Sequence, residues 1–135
     1  MGDYEKQIET AVEKYRELLK GQLERVERIN AQADAVDYSS LEKIVIGVCG
    51  GDGIGPTITS AAASVLKGIL ADEVASGRVE FRNIEGLTIE NRAACMKAIP
   101  DDVLAELKKC DVILKGPTTT PKQGDGWPNI ESANV

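Results

Sequence analysis

The stretch that decides the fold is KIVIGVCGGDGIGPTITSAAASVLKGIL, Lys43–Leu70. It opens on an apolar, β-branched run that ends in glycines, Lys43 to Gly51, and reads as a buried strand. A turn follows. Pro56 then sits at a first helical position, where its missing N–H leaves no helical bond unmade. Apolar residues recur from there at helical spacing to Leu70. A strand that turns tightly into a helix is the repeating unit of a parallel α/β sheet.

The chain downstream repeats that unit. ADEVASGR, 71–78, reads as a polar connection, and Val79 to Glu85 alternates like a second strand. GLTIENRAACMKAI, 86–99, is partly helical in pattern. Pro100, Asp101 and Asp102 open a further helix that runs through VLAELKKC, with acids at its positive end. Asp111 to Gly116 reads as a third strand. The order strand–helix–strand–helix–strand predicts a doubly wound, parallel α/β sheet.

Upstream, residues 3 to about 35 read as one long helix. Tyr4, Ile8, Val12, Tyr15, Leu19, Leu23, Val26 and Ile29 recur at spacings of three and four among charged residues. Gly21 weakens its middle by roughly 1 kcal/mol relative to alanine. Such a stripe either makes a coiled-coil contact or packs on its own domain or a sister subunit. NAQADAVDYSS, 30–40, reads as helix end and linker. The expected division is a helical extension with its linker, 1–40, and an α/β unit, 41–135.

Bulk properties narrow the function. With 42% hydrophobic and 28% charged residues, the 135-residue chain has the composition of a soluble globular protein. A net charge of -6 and 4% aromatics give no general support for nucleic acid or an anionic membrane as partner. No apolar run is long enough to span a bilayer, and the polar, acidic start MGDYEKQIET resembles neither a signal nor a transit peptide. Cys49, Cys95 and Cys110 are odd in number and widely spaced, so they are expected to be buried, reduced thiols in a cytoplasmic protein. The absence of histidine excludes Ser-His and Cys-His nucleophile pairs within this chain.

The glycine loop invites a dinucleotide reading and fails it. The fingerprint G-x-G-x-x-G needs a third glycine for close helix packing. Counting from Gly51 and Gly53, that place holds Pro56; counting from Gly50, the second glycine's place holds Asp52. No G-x-x-x-x-G-K-[ST] phosphate loop is present either. The glycines mark a tight turn with positive φ, or a turn beside a ligand at the carboxyl ends of the strands.

A second loop, Lys115 to Pro121, leaves the third strand at that same edge. Lys115 either meets a carboxylate or phosphate or is solvated. The hydroxyls of Thr118, Thr119 and Thr120 can serve a ligand or close turns on their own backbone. Ser132 and Asn134 point to one side if extended, whereas at a helix start Ser132 caps the next turn.

VIGVCGGDGIGP, LKGPTTTP and ESANV, in this order, resemble the N-terminal third of the isocitrate/isopropylmalate dehydrogenase family, the metal-dependent β-decarboxylating dehydrogenases. The likeness covers about residues 43–135, and the helix before it resembles an extension of a bacterial isocitrate dehydrogenase-like subgroup. It implies oxidation of a 2-hydroxy acid with a second carboxylate by NAD or NADP. Loss of CO2 with Mg2+ or Mn2+ follows, in an enzyme that is typically a homo-oligomer. By resemblance Thr119 and Thr120 lie beside the nicotinamide, and Ile54 approaches it from the first loop. Ser132 and Asn134 match positions that bind the small-molecule substrate, and Lys115 matches a supporting one. GPTTTP looks closer to isocitrate than to isopropylmalate enzymes, while KQGDGWPNI departs from many relatives. The family's substrate-clamping arginines, proton-moving tyrosine and lysine, and metal-binding aspartates match nothing in these 135 residues, so the chain alone is expected to be inactive. The alternative is a stand-alone anion-binding or regulatory module that pairs with a full-length subunit.

Overall fold

The computed structural model describes residues 2–31 and 36–134. The expected helix end at 32–35 and the terminal Val135 of the ESANV motif lie outside the described residues. The chain divides into two units, Met1–Asp37 and Tyr38–Val135.

The first unit is α1, Gly2–Ala31. The second contains three strands, β1 (Ile44–Cys49), β2 (Val79–Asn83) and β3 (Val112–Lys115). All pairings are parallel, in the order β2–β1–β3, with Ile46 opposite Phe81 on one side and Val112 on the other. Four helices connect them: α2 (Gly55–Ile69), α3 (Ala71–Ala75), α4 (Ile89–Cys95) and α5 (Asp101–Leu107).

Helices cover both faces of the sheet. Cys49 faces Ile84, Leu87, Val103 and Leu107, which form the core with α5. A Cβ on Gly47, two residues earlier on the same face, would lie 2.8 Å from the Cys110 sulfur. Side chains alternate along a strand, so Val48 turns to the opposite face, toward Thr59 and Ala63 of α2. The α/β class and the doubly wound character are thus as the sequence predicts.

Differences lie in the connections. ADEVASGR is not merely a polar link, because 71–75 form the short helix α3. Leu70 leaves helical geometry (φ -100°, ψ 27°), the chain re-enters a helix with Asp72 and Glu73 in its first turn, and Gly77 ends it at φ 78°. α5 stops at Leu107, short of the Lys-Lys-Cys expected within it. Not all the cysteines are buried: Cys49 is, Cys110 is half-buried and Cys95 is exposed. Cys95 ends α4, a helix that turns Ile89 and Arg92 inward.

The glycine loop is shaped by backbone meeting backbone. A Cβ on Gly51 (φ 73°) would sit 2.1 Å from the Pro117 carbonyl oxygen, and one on Gly116 would sit 2.0 Å from that of Gly50. Gly53 has a similar φ of 57° but faces open space. Gly53→Ala is therefore expected to lose about 1 kcal/mol to backbone strain alone. Gly51→Ala should lose about 1–3 kcal/mol more from overpacking. Urea unfolding of the two variants checks this, and equal losses would show that φ alone, not the meeting of the loops, demands glycine.

Candidate functional site

The carboxyl ends of β1 and β3 lie side by side, with Cys49 paired to Lys115 and the Gly116 N–H donating to the Cys49 carbonyl at 2.7 Å. Two loops leave from this edge, and Asp52 ties them together. Its N–H donates to the Pro117 carbonyl at 2.8 Å. Its carboxylate accepts from the Ile89 N–H at 2.8 Å and the Thr119 N–H at 2.7 Å. Thr88 offers α4 no side-chain cap, so the first residue of that helix is bonded by a carboxylate 37 residues away.

Arg92 acts from beneath. It is fully buried, yet no carboxylate meets it among the described residues. Its guanidinium instead donates to three main-chain carbonyls: Ala98 at 2.7 Å, Thr119 at 2.6 Å and Glu131 at 2.7 Å. Arginine presents its donors in a fixed planar fork, which suits it to carbonyls arriving from three separate segments. Both main-chain groups of Thr119 are therefore used, its N–H by Asp52 and its carbonyl by Arg92. Only the half-buried threonine side chain is left to meet a ligand.

Lys115 ends β3. Its ammonium donates to the Gly116 carbonyl at 2.9 Å, the Thr118 hydroxyl at 3.2 Å and Asn134 Oδ1 at 2.8 Å. An ammonium has three donors, and here all three go to neutral oxygens. Burial pulls its pKa below the usual lysine range; Arg92 adds to this, while Cys49 and Asp52 oppose it. The same burial pushes the Cys49 thiol up, against the Gly51 main chain and Lys115.

The structure thus brings Lys115 and Asn134 together, 19 residues apart in sequence. Ser132 turns to its own chain, its Oγ accepting from the Asn134 N–H at 3.2 Å, so this pair forms a turn and not an extended stretch. Thr120 is exposed. Ile54 stands at the start of α2 with 67% of its surface exposed. Among the described residues, no hydrogen bond ties either one to the Lys115–Asn134 pair. Between the threonines and Ser132, the Asp125 carboxylate accepts from the Lys122 and Trp127 N–H groups at 2.6 and 3.1 Å, which holds its pKa below the usual carboxylate range. Two open clefts, of about 290 and 380 Å3, flank the glycine loop, and neither is lined by Lys115, Thr119 or Asn134. The polar rim is a surface, not a closed pocket. Among the described residues no three acidic or thiol side chains converge on a metal position. No described helix is long and apolar enough to cross a membrane.

A family model described as isocitrate/isopropylmalate dehydrogenase matches residues 45–134, the whole of this rim included. The chain belongs to the isocitrate/isopropylmalate dehydrogenase family. Among solved structures, the apo β-decarboxylating dehydrogenase of Thermococcus kodakarensis is 34% identical over 64% of this chain, with a TM-score of 0.49. The alignment covers 24% of that relative, so the chain spans about a quarter of its length. The comparison with curated proteins gives no match.

Within this family member, sequence reasoning missed Asp52 and Arg92. Asp52 entered only as the residue that spoils a glycine fingerprint. Arg92 gave one signal, a cation directly before the small, apolar run Ala93–Met96. Arg92→Met leaves three buried carbonyls without a donor and is expected to destabilise by at least about 3 kcal/mol, as each orphaned group alone loses about 1–3 kcal/mol. Asp52→Asn turns a donor against one of two N–H groups and should lose about 1–3 kcal/mol. Because both residues hold Thr119, the double variant should lose less than the two single losses together, and additive losses in urea unfolding would reject the shared anchor. Alkylation should reach Cys95 first and Cys49 last; fast labelling of Cys49 in the folded chain would contradict its burial.

Proposed function

We propose that this chain forms the substrate- and nicotinamide-facing rim of an NAD(P)-dependent oxidative decarboxylase, acting on isocitrate to give 2-oxoglutarate and CO2. The observation that carries the proposal is the Lys115 ammonium. It is half-buried, joined to Asn134 and satisfied only by neutral oxygens at the sheet's carboxyl edge. Open α/β sheets bind ligands at this edge. A carboxylate is a stronger acceptor for an ammonium than an amide or hydroxyl oxygen, so an acid substrate displaces one of the neutral partners and gains a charge-assisted bond.

Each rim residue then has a defined task. Lys115 holds a carboxylate. Asn134 spends its oxygen on Lys115, which turns its amide N–H groups into donors for the same anion. The Ser132 hydroxyl can donate to a carboxylate while still accepting from the Asn134 N–H. The Thr119 hydroxyl, on a residue whose main chain is pinned, and the neighbouring Thr120 orient the nicotinamide. Exposed Ile54 supplies an apolar cover that keeps water from the hydride path. Held beside Thr119 and Thr120, NAD or NADP would supply the acceptor for a hydride from the carbon that bears the substrate hydroxyl. Mg2+ or Mn2+ requires several oxygen ligands, and the described residues supply no such set, so no step here runs through the metal. In this reading the working enzyme is a homo-oligomer, and the 135-residue chain alone binds acid without turning it over.

Titration of the isotopically labelled chain with isocitrate tests the reading. Amide signals of Lys115, Thr118 and Asn134 should shift, and Lys115→Met should weaken binding at least about tenfold, or about 1.4 kcal/mol. Isocitrate should bind more tightly than isopropylmalate. Shifts confined to other surfaces, or equal binding by Lys115→Met, would reject the assignment.

A further inference from the structure

α1 presents nine apolar side chains, Tyr4, Ile8, Val12, Tyr15, Leu18, Leu19, Leu23, Val26 and Ile29, each between 46% and 73% exposed. A single helix with so continuous an apolar face has no reason to remain alone in water. The question is what covers it, and the spacing answers. Written as heptads with Glu5, Val12, Leu19 and Val26 at a, the d positions are Ile8, Tyr15, Gln22 and Ile29. The b, c and f positions hold polar residues apart from Gly21 at c and Ala31 at f: Lys6, Glu13, Lys20 and Glu27 alternate in sign at b, and Glu17 and Glu24 lie at f. Six of the eight a and d positions are apolar, and a repeat of 3.5 residues over four heptads is that of a supercoiled helix pair.

We infer that α1 is one strand of a parallel, in-register, two-stranded coiled coil formed with a second copy of this chain. Three features select this occupant and this geometry. Val12 and Val26 are β-branched residues at a, which suit a two-stranded parallel pair, whereas Leu19 at a with Ile8 and Ile29 at d are residues of larger bundles. Gln22 is the polar d residue. In the parallel pair its amide meets its own copy, donor to acceptor, while the antiparallel pair that keeps all the a–d layers sets it against Val12. The flanks discriminate in the same direction. Parallel g–e contacts are Tyr4–Glu9, Ala11–Arg16, Leu18–Leu23 and Arg25–Asn30, with no like charges. The antiparallel pair places Arg16 opposite Arg16, which is unfavourable. Glu5 opposes its copy in the first turn, so the seam begins at Ile8.

The area suffices. Covering a Val, Leu or Ile fully hides roughly 60–120 Å2, from about 1.5–3 kcal/mol at about 25 cal/mol per Å2. At the exposures seen here, two copies hide on the order of 1,000 Å2, the lower bound of a specific interface. The inference is independent of the catalytic reading above, because it uses α1 alone.

Sedimentation equilibrium of the full 135-residue chain tests it. A mass of twice 14.5 kDa is expected at micromolar concentration. Leu19→Lys should weaken association at least tenfold, and Gln22→Leu should tighten it at least tenfold. Under mild oxidation Gln22→Cys should trap a covalent dimer faster than Glu24→Cys, each measured above the unmodified chain's own thiols. A monomer, a trimer or a tetramer would overturn the inference. So would a dimer indifferent to Leu19→Lys and Gln22→Leu, or equal trapping by the two cysteines.

Discussion

The α/β unit depends on one arrangement: a buried arginine that bonds carbonyls and an aspartate that bonds amide N–H groups, both converging on Thr119. Loops at the edge of a parallel sheet carry main-chain groups that no ladder satisfies, and each left unpaired in the interior is unfavourable. Arg92 draws in the carbonyls of residues 98, 119 and 131. Asp52 draws in the N–H groups of residues 89 and 119, and its own main chain bonds Pro117. The two charges do not meet in an ion pair. Each is solvated by the backbone of the loops it organises, and no buried side-chain polar atom is left unsatisfied among the described residues. The threonine loop is consequently stiff at Thr119 although it belongs to no helix or strand.

That arrangement also explains why a glycine-rich turn between strand and helix is not a phosphate cradle here. In a dinucleotide fold the turn and the first helical residues point free N–H groups at the pyrophosphate. In this turn the Asp52 N–H already serves Pro117 and the Gly55 N–H serves the Asp52 carbonyl. Pro56 has no N–H to offer. The Asp52 carboxylate occupies the space with negative charge. Gly50, Gly51, Gly116 and Pro117 instead touch through their backbones.

The sheet and its major helices were legible because their signal is local. A β-branched run that closes in glycine, followed by proline and a helical period, specifies its own conformation. α3 was not, since five residues of mixed character, Ala71–Ala75, are ambiguous until α2 has ended. Lys115, Ser132 and Asn134 were legible as polar residues at an edge, but the bond from Lys115 to Asn134 was not, because it depends on how the segment from Pro121 to Glu131 returns. Asp52 and Arg92 were hidden for a deeper reason. Their partners are main-chain groups 27 to 67 residues away, apart from the close contact to Ala98. A backbone carbonyl has the same identity in every residue, so the sequence carries no complementary partner to find.

The two edges of the sheet differ in a way that bears on the rim. On β2, Glu80 is held between Lys43 at 2.5 Å and Arg82 at 2.8 Å, and both cations pull its pKa below the usual carboxylate range. A charged edge of this kind discourages further pairing. On β3, Val112 and Ile113 are 43% and 46% exposed, with Asp111 before them, its carboxylate bonded to the Val45 N–H, and Lys115 after them. The exposed part of this edge is therefore apolar between an acid and a base. A parallel strand added there ends at the same carboxyl side as Lys115, so its own loop lands opposite Thr118, Thr119 and Asn134. The open rim, the apolar exposed stretch of β3 and an ammonium satisfied only by neutral oxygens thus lie along the same strand.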